Sequence, residues 1–296
     1  MVYNLESFGM KYLLDEPMSR HTTFKVGGVC DIFLAPASEE ELLQALRVCR
    51  ENGYPHFVIG NGSNLLVKDG GFRGVVISLL QMKEMRLLEG GQIFAHAGVL
   101  MKDLAEFARE SGLSGVEFIH GIPGSVGGGV FMNAGAYDGE MAHIFVSARC
   151  VNQNGNIAQL SNADMNFEYR KSLAQSEGLV VMSAVVQGVR LKKAEISAKM
   201  EDLEERRGSK QPLEYASAGS TFKRPDGHFV GKLVEDAGLK GFRIGGAQVS
   251  EKHGGFVINR GFATADDILQ LINHIQQTIK EKFGVTLETE VKIIGE

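Results

Sequence analysis

An α+β fold is the class this sequence predicts, on three observations. Apolar residues recur at helical spacing in two stretches, 38–52 and from Thr264 onward. Short apolar or alternating runs of strand length lie between and after them. The glycine-bearing segment Gly60-Asn61-Gly62-Ser63-Asn64 then passes from one such run, His56–Ile59, to another, Leu65–Val67, with no helix opening after it. A Rossmann dinucleotide fold would need that helix, a third glycine where Leu65 stands, and an acid about 20 residues on.

Taken in order, Ser38 and Glu41 form a capping box ahead of Leu42, Ala45, Leu46 and Cys49, and Asn52-Gly53 stops that helix. Strands flank the loop at 60–64. A strand QIFAHAG, a helix Met101–Glu110, a glycine-rich segment and the strands HIFVSARCV and LVVMSAVV follow. The charged helix Ala194–Arg207 reads as a solvated face and marks a boundary. Beyond it come a helix at 229–237, a strand GFVIN, and a helix whose stripe is Ile268, Leu271, Ile272, Ile275, Ile279 and Phe283. The closing TLETEVKII alternates as a strand with Glu288 and Glu290 on one side.

The chain has 296 residues, 44% of them hydrophobic, which is enough for an ample core and two or three domains. With 36 acidic against 31 basic residues the net charge is −5, so no nucleic-acid or anionic-membrane partner is expected, and any anionic ligand must be managed locally. Cys30, Cys49 and Cys150 are an odd number without C-x-x-C spacing; neither a disulfide framework nor a metal site is expected, and the thiols fit a reducing cytoplasm. The first twenty residues lack the features of a secretory signal, and the longest strongly apolar stretch, Leu179–Val186, is far short of a membrane span.

Two glycine segments invite a ligand reading. In GNGSN, residues that tolerate left-handed angles can turn successive N–H groups inward to hold an anion such as a pyrophosphate; a plain hairpin loop is the competing reading. In EFIHGIPGSVGGGVFMNAGAYDG, residues 117–139, the run Gly127-Gly128-Gly129 is a local weakness unless a backbone or a flat ligand approaches closely there. No Walker loop competes, because GHFVGKL is one residue short and has Leu233 where a magnesium-binding hydroxyl belongs.

The motifs HTTFKVGG, GNGSNLLV, GIPGSVGGGVFMNAGAYDGE, FEYRKS, SAGSTFKRP, GKLVEDAGLKG, GAQVSEKHGGFVIN and LETEVKIIGE, in this order, resemble the bacterial UDP-N-acetylenolpyruvoylglucosamine reductase family. The resemblance implies noncovalent FAD in a two-subdomain, non-Rossmann fold of the vanillyl-alcohol-oxidase type and NADPH as reductant. It also implies a C-terminal substrate domain and UDP-N-acetylglucosamine enolpyruvate as substrate, in cytoplasmic synthesis of a cell-wall precursor. The implied segments are 1–80 joined by 287–296, then 81–200 for the cofactor, and 201–286 for the substrate. Little sequence separates Arg170 from Lys210, so the chain is similar to the shorter subclass, which lacks an inserted tyrosine loop.

The same resemblance assigns cofactor contacts to Gly60, Asn61, Gly62, Ser63 and Asn64, to Gly121, Ile122, Pro123, Gly124, Ser125 and Gly128, and to Asn133, Ala134 and Gly135. It implies hydride transfer from flavin N5 to the enolpyruvyl methylene, leaving an enolate-like anion. Arg170 suits that charge as a bidentate carboxylate clamp, Ser220 matches the proton donor, and Glu290 positions the group. Lys210, Lys223 and Arg224 are cations for a uridine diphosphate, with Gln248 a further polar candidate. Asn61 stands where glycine is common, His120 where a small residue is frequent, and Ala216 where proline is; none removes a reacting group. A flavin oxidase and a noncatalytic nucleotide-sugar binder remain rivals.

Overall fold

The computed structural model describes residues 5–296. Residues 1–4, part of the stretch read for a secretory signal, lie outside the described residues. The chain forms two compact units. The first takes the residues up to Leu13, Ile32–Asn61 and Gly74–Arg207; the second takes Leu14–Asp31, Gly62–Arg73 and Gly208–Glu296.

The first unit contains a five-stranded antiparallel sheet in the order Ile157–Ser161, Phe145–Val151, Val180–Gln187, Gln92–His96, Met85–Leu87. Alternation sets its two faces. Ala95, Ala184 and Ala148 stand in one cross-strand row and Ile93 pairs with Val186; all are buried with the helix Met101–Glu110 in one core. On the other face, His96, Ser183, Arg149 and Gln159 make a polar row. There Glu39, from the first turn of the helix Glu39–Asn52, accepts bonds from Arg149 at 3.0 Å and from Ser183 at 3.1 Å.

The helix Glu39–Asn52 is capped as its sequence directs, with one difference. Ser38 accepts from the Glu41 amide, but the Glu41 carboxylate reaches the Ala37 amide, one residue beyond the reciprocal partner of a standard capping box. Gly53 ends the helix at φ 65°, a left-handed angle that glycine adopts without steric cost. Leu42, Ala45, Leu46 and Cys49 lie in a second core of this unit. The strand His56–Ile59 pairs in parallel with the strand Phe72–Ser78, from His56 beside Val75 to Ile59 beside Ser78. The expected strand HIFVSARCV begins only at Phe145, because residues 141–144 make one helical turn.

In the second unit, the helix Ala265–Phe283 packs its stripe of Ile268, Leu271, Ile272, Ile275 and Ile279 into one core. Each of these is worth about 2 kcal/mol in removed apolar surface. Thr264 and Asp267 form the full capping box, and Asp69 adds bonds of 2.9 Å to the amides of Ala265 and Asp266. Phe283 is 39% exposed, so the stripe ends at Ile279. The C-terminal strand is shorter than its alternation predicts: Lys292–Ile294 pairs in parallel with Leu65–Val67, while Phe222 and Thr289 make a single antiparallel bridge.

Candidate functional site

The strands on either side of the 60–64 loop belong to different sheets, since His56–Ile59 pairs with Phe72–Ser78 and Leu65–Val67 with Lys292–Ile294. The loop is therefore a crossing and not a hairpin. Along it, the backbone N–H groups of Asn61, Gly62 and Ser63 meet no protein acceptor among the described residues. Three consecutive free donors are the raw material of an anion-binding nest. The left-handed angle falls on Gly62, φ 59°, whereas Asn61 does not have positive φ. The tolerance expected of asparagine at that position is not used.

In the first unit, Gly60 lies so close to Ser125 that an added Cβ would sit 2.1 Å from its hydroxyl. The Asn61 amide donates to the Pro123 carbonyl at 2.6 Å. These two contacts seat residues 60–61 on the segment 121–125. Ser125 caps the short helix Val126–Phe131 by accepting from the Gly128 amide. The three glycines of that helix have different reasons. A Cβ on Gly127 would meet the Ala97 side chain at 2.7 Å, and one on Gly129 would meet Met101 and Met141, each at 2.9 Å, so both serve packing. Gly128 is exposed and would meet nothing nearer than Ser125 at 3.6 Å, so it alone presents bare backbone outward.

Asn133 is fully buried at φ 42°, donating to Glu140 and to the Glu168 carbonyl and accepting from the Ala142 amide at 3.0 Å. Its side chain shapes the NAGA turn. Arg170 is anchored to the same turn, donating to the Gly135 carbonyl at 3.0 Å, and its guanidinium lies 5.0 Å from the Tyr169 ring centroid. Thus Arg170, Gly135 and Asn133 are brought together. The His120 side chain is 12% exposed, with its Nε2 3.5 Å from the Glu106 carboxylate.

In the second unit, residues 221–223 run beside 288–290. The Glu290 amide donates to the Thr221 carbonyl and the Lys223 amide to the Glu288 carbonyl, both at 2.9 Å. This pairing sets Glu290 opposite Thr221, the residue that follows Ser220. Ser220 is exposed, follows Gly219 at φ 74°, and its hydroxyl has no protein partner among the described residues. Thr221, by contrast, is fully buried and fixes the turn, donating its amide to Gly255 and accepting from Val257 at 3.0 Å. Asn64 joins them: its amide donates to the Glu290 carbonyl at 3.0 Å and its carbonyl accepts from Lys292. Gly62 packs against the His21 carbonyl, 2.0 Å from where a Cβ would stand.

Of the cations named from sequence, Lys223 pairs with Glu288 at 3.1 Å, Arg224 stacks 3.9 Å from the Phe229 centroid, and Lys210 is exposed. Gln248 is 3% exposed and spends its amide on the Gly241 carbonyl and on Glu251, holding the central strand of a three-stranded sheet. Ala216 bonds the Asn259 amide through its carbonyl at 2.8 Å, an acceptor that proline would also provide. His253 accepts from the Gly255 amide, and burial lowers its pKa, which favours the neutral ring of a fold residue.

Sequence reasoning missed Arg207. Its Cδ lies 2.8 Å from the Cβ position of Gly121, and its Nε is buried with no hydrogen-bond partner among the described residues. The only available signal was the double arginine ending a helix just before the KQPLEYASAGS run. A cavity of about 720 Å³ on the polar face of the five-stranded sheet, lined by Phe94, His96, Arg149 and Ser183, contains none of the cofactor, substrate or catalytic candidates named from sequence.

Residues 30–161 match the family described as FAD binding domain, and residues 211–294 match the UDP-N-acetylenolpyruvoylglucosamine reductase, C-terminal domain. A UDP-N-acetylenolpyruvoylglucosamine reductase of Clostridium perfringens is 54% identical over 282 residues, covering 95% of this chain and 92% of the relative. One from Clostridium beijerinckii is 51% identical over 283 residues, covering 96% and 93%. The crystal structure of UDP-N-acetylenolpyruvylglucosamine reductase from Thermus caldophilus superposes with a TM-score of 0.81 at 34% identity, covering 96% of this chain and 98% of that one.

Proposed function

The chain belongs to the UDP-N-acetylenolpyruvoylglucosamine reductase family, and from that premise we propose how its own residues divide the work of the reaction. It is a flavin-dependent oxidoreductase that uses FAD and NADPH to reduce UDP-N-acetylglucosamine enolpyruvate to UDP-N-acetylmuramate. Its reading as a cytoplasmic enzyme of cell-wall precursor synthesis rests on that activity.

The residues present suit FAD. Free amides at Asn61, Gly62 and Ser63 are donors for a pyrophosphate, and the bare backbone at Gly128 admits a flat group at van der Waals distance. Gly60, Asn64, Gly121, Ile122, Pro123, Gly124, Ser125, Ala134 and Gly135 complete the proposed contacts. Asn133 acts through its backbone, since its amide is already committed. When bound and reduced by NADPH, FAD supplies a hydride to the enolpyruvyl methylene.

The chain's part is to manage the charge and the proton that remain. Arg170 holds the substrate carboxylate, into which negative charge spreads; a planar guanidinium keeps its charge and can form two parallel bonds to it. Its tie to the Gly135 carbonyl fixes the arm from which it acts. Ser220 delivers the proton to the enolate carbon. A hydroxyl with no protein partner is free to turn toward that carbon, and position outweighs acidity because the carbon is strongly basic. Glu290 orients this proton donor across the paired segments 221–223 and 288–290. Lys210, Lys223 and Arg224 balance the diphosphate. Gln248 has no place in this reading.

The observation that carries the proposal is the pairing of the Ser220 and Glu290 segments. The test is anaerobic: NADPH should bleach the flavin, and the enolpyruvyl nucleotide alone should restore its colour with formation of UDP-N-acetylmuramate. Recovery only on admitting oxygen would mark an oxidase, and nucleotide binding without turnover a binder.

A further inference from the structure

Among the described residues of the first unit, Arg207 is the one with a buried side-chain nitrogen that meets no hydrogen-bond acceptor. It sits in the last turn of the helix Lys193–Lys210. Its neighbour Arg206 pairs with Asp202, four residues back, at 2.8 Å. At the same offset Arg207 has Leu203, and no carboxylate approaches it among the described residues. Its stem fills the space that the missing side chain of Gly121 leaves open, with Nη1 at 3.3 Å and Nε at 3.5 Å from that Cβ position. Burial lowers the guanidinium pKa, and Tyr137 opposes the shift.

Leaving a charged donor out of water without an acceptor is costly, and the cost is repaid only when an anion arrives. The helix C-terminus accounts for a cation in this turn but not for an orphaned Nε. Gly121, which the Arg207 stem touches, belongs to one segment assigned to the cofactor, and Tyr137, which acts electrostatically on the guanidinium, stands two residues beyond Gly135 of another. We propose that Arg207 is a cofactor-facing cation that answers an anionic group of bound FAD, an inference that rests on the FAD reading above. FAD offers two such groups: the pyrophosphate, and the ring once it is reduced.

The test uses Arg207→Met and Arg207→Lys, with three measurements: FAD affinity of the apoprotein by fluorescence quenching, melting of the apoprotein, and the midpoint potential of the bound flavin. Losing one charge-assisted contact should cost about 10- to 100-fold in FAD affinity, in the reduced form at least. The lysine variant should recover part of the loss. Apoprotein carrying Arg207→Met should melt no lower than the parent, because a half-buried charge with an unpaired Nε has been removed. If the partner is the pyrophosphate, oxidised FAD binds more weakly and the potential is unchanged. If it is the reduced ring, oxidised affinity holds and the potential falls by about 30 mV for each tenfold loss. Unchanged affinity and potential, or an apoprotein destabilised as much as the holoprotein, would overturn the proposal. A parent protein that bound no FAD would overturn the FAD reading instead.

Discussion

Replacing Gly62 by alanine separates two costs that the structure assigns to one position. The first is conformational: at φ 59° an L-residue pays about 1–2 kcal/mol. The second is steric. The new Cβ would stand 2.0 Å from the His21 carbonyl oxygen, with the His21 carbonyl carbon and the Thr22 Cα at 3.0 Å. All three are backbone atoms, so relief requires the chain at 21–22 or the loop itself to move by about 1 Å, a strain of about 1–3 kcal/mol. The sum is about 2–5 kcal/mol. Gly284 supplies the control in the same unit: its φ is 72°, yet a Cβ there meets nothing within 4 Å, so Gly284→Ala carries the conformational cost alone. Urea unfolding of the two variants should place Gly62→Ala lower, and only it should weaken FAD binding, because only it displaces the free amides at 61–63. Equal destabilisation with intact FAD affinity in both would refute the reasoning.

Asn133→Ala removes three hydrogen bonds from a fully buried site and leaves alanine at φ 42°; a loss of about 2–4 kcal/mol in denaturant unfolding is expected, and Asn133→Gly should cost about 1 kcal/mol less by relieving the angle. Asp267 predicts a pH dependence. Backbone hydrogen bonds from Gly246 and Thr264 lower its pKa below the ordinary 3.8, so its contribution to stability is complete above that value and disappears as pH falls through the lower folded value. Acid unfolding curves of Asp267→Asn should therefore be flatter than those of the parent below about pH 4 and should not differ in slope near neutrality.

Periodic features were legible from sequence because their causes are local. The Ile268–Ile279 stripe, the Ser38 and Thr264 caps and the Gly53 stop each follow from neighbours within a turn or two. The 60–64 loop was not, because whether it is a hairpin or a crossing depends on a partner strand at 292–294, more than two hundred residues away. Gln248 looked available because glutamine is usually exposed, yet it lies in a central strand whose three residues are all buried. Arg207 was concealed by its own helix, a charged stretch that reads as solvated and in which only Ile196 and Met200 are buried. The roles proposed for Arg170, Ser220 and Glu290 came from the order of motifs. No local rule singles out a serine in a small-residue turn, and the adjacency of its segment to Glu290 depends on the long-range pairing of 221–223 with 288–290.

The most direct test of the division of roles is stopped-flow measurement, without oxygen, of the two half-reactions of Ser220→Ala. NADPH should reduce the bound FAD at close to the parent rate, and the enolpyruvyl nucleotide should then turn over more slowly by about 100-fold or more, the usual share of a positioned proton donor. Equal loss in both half-reactions, or product formation at the parent rate, would contradict the account.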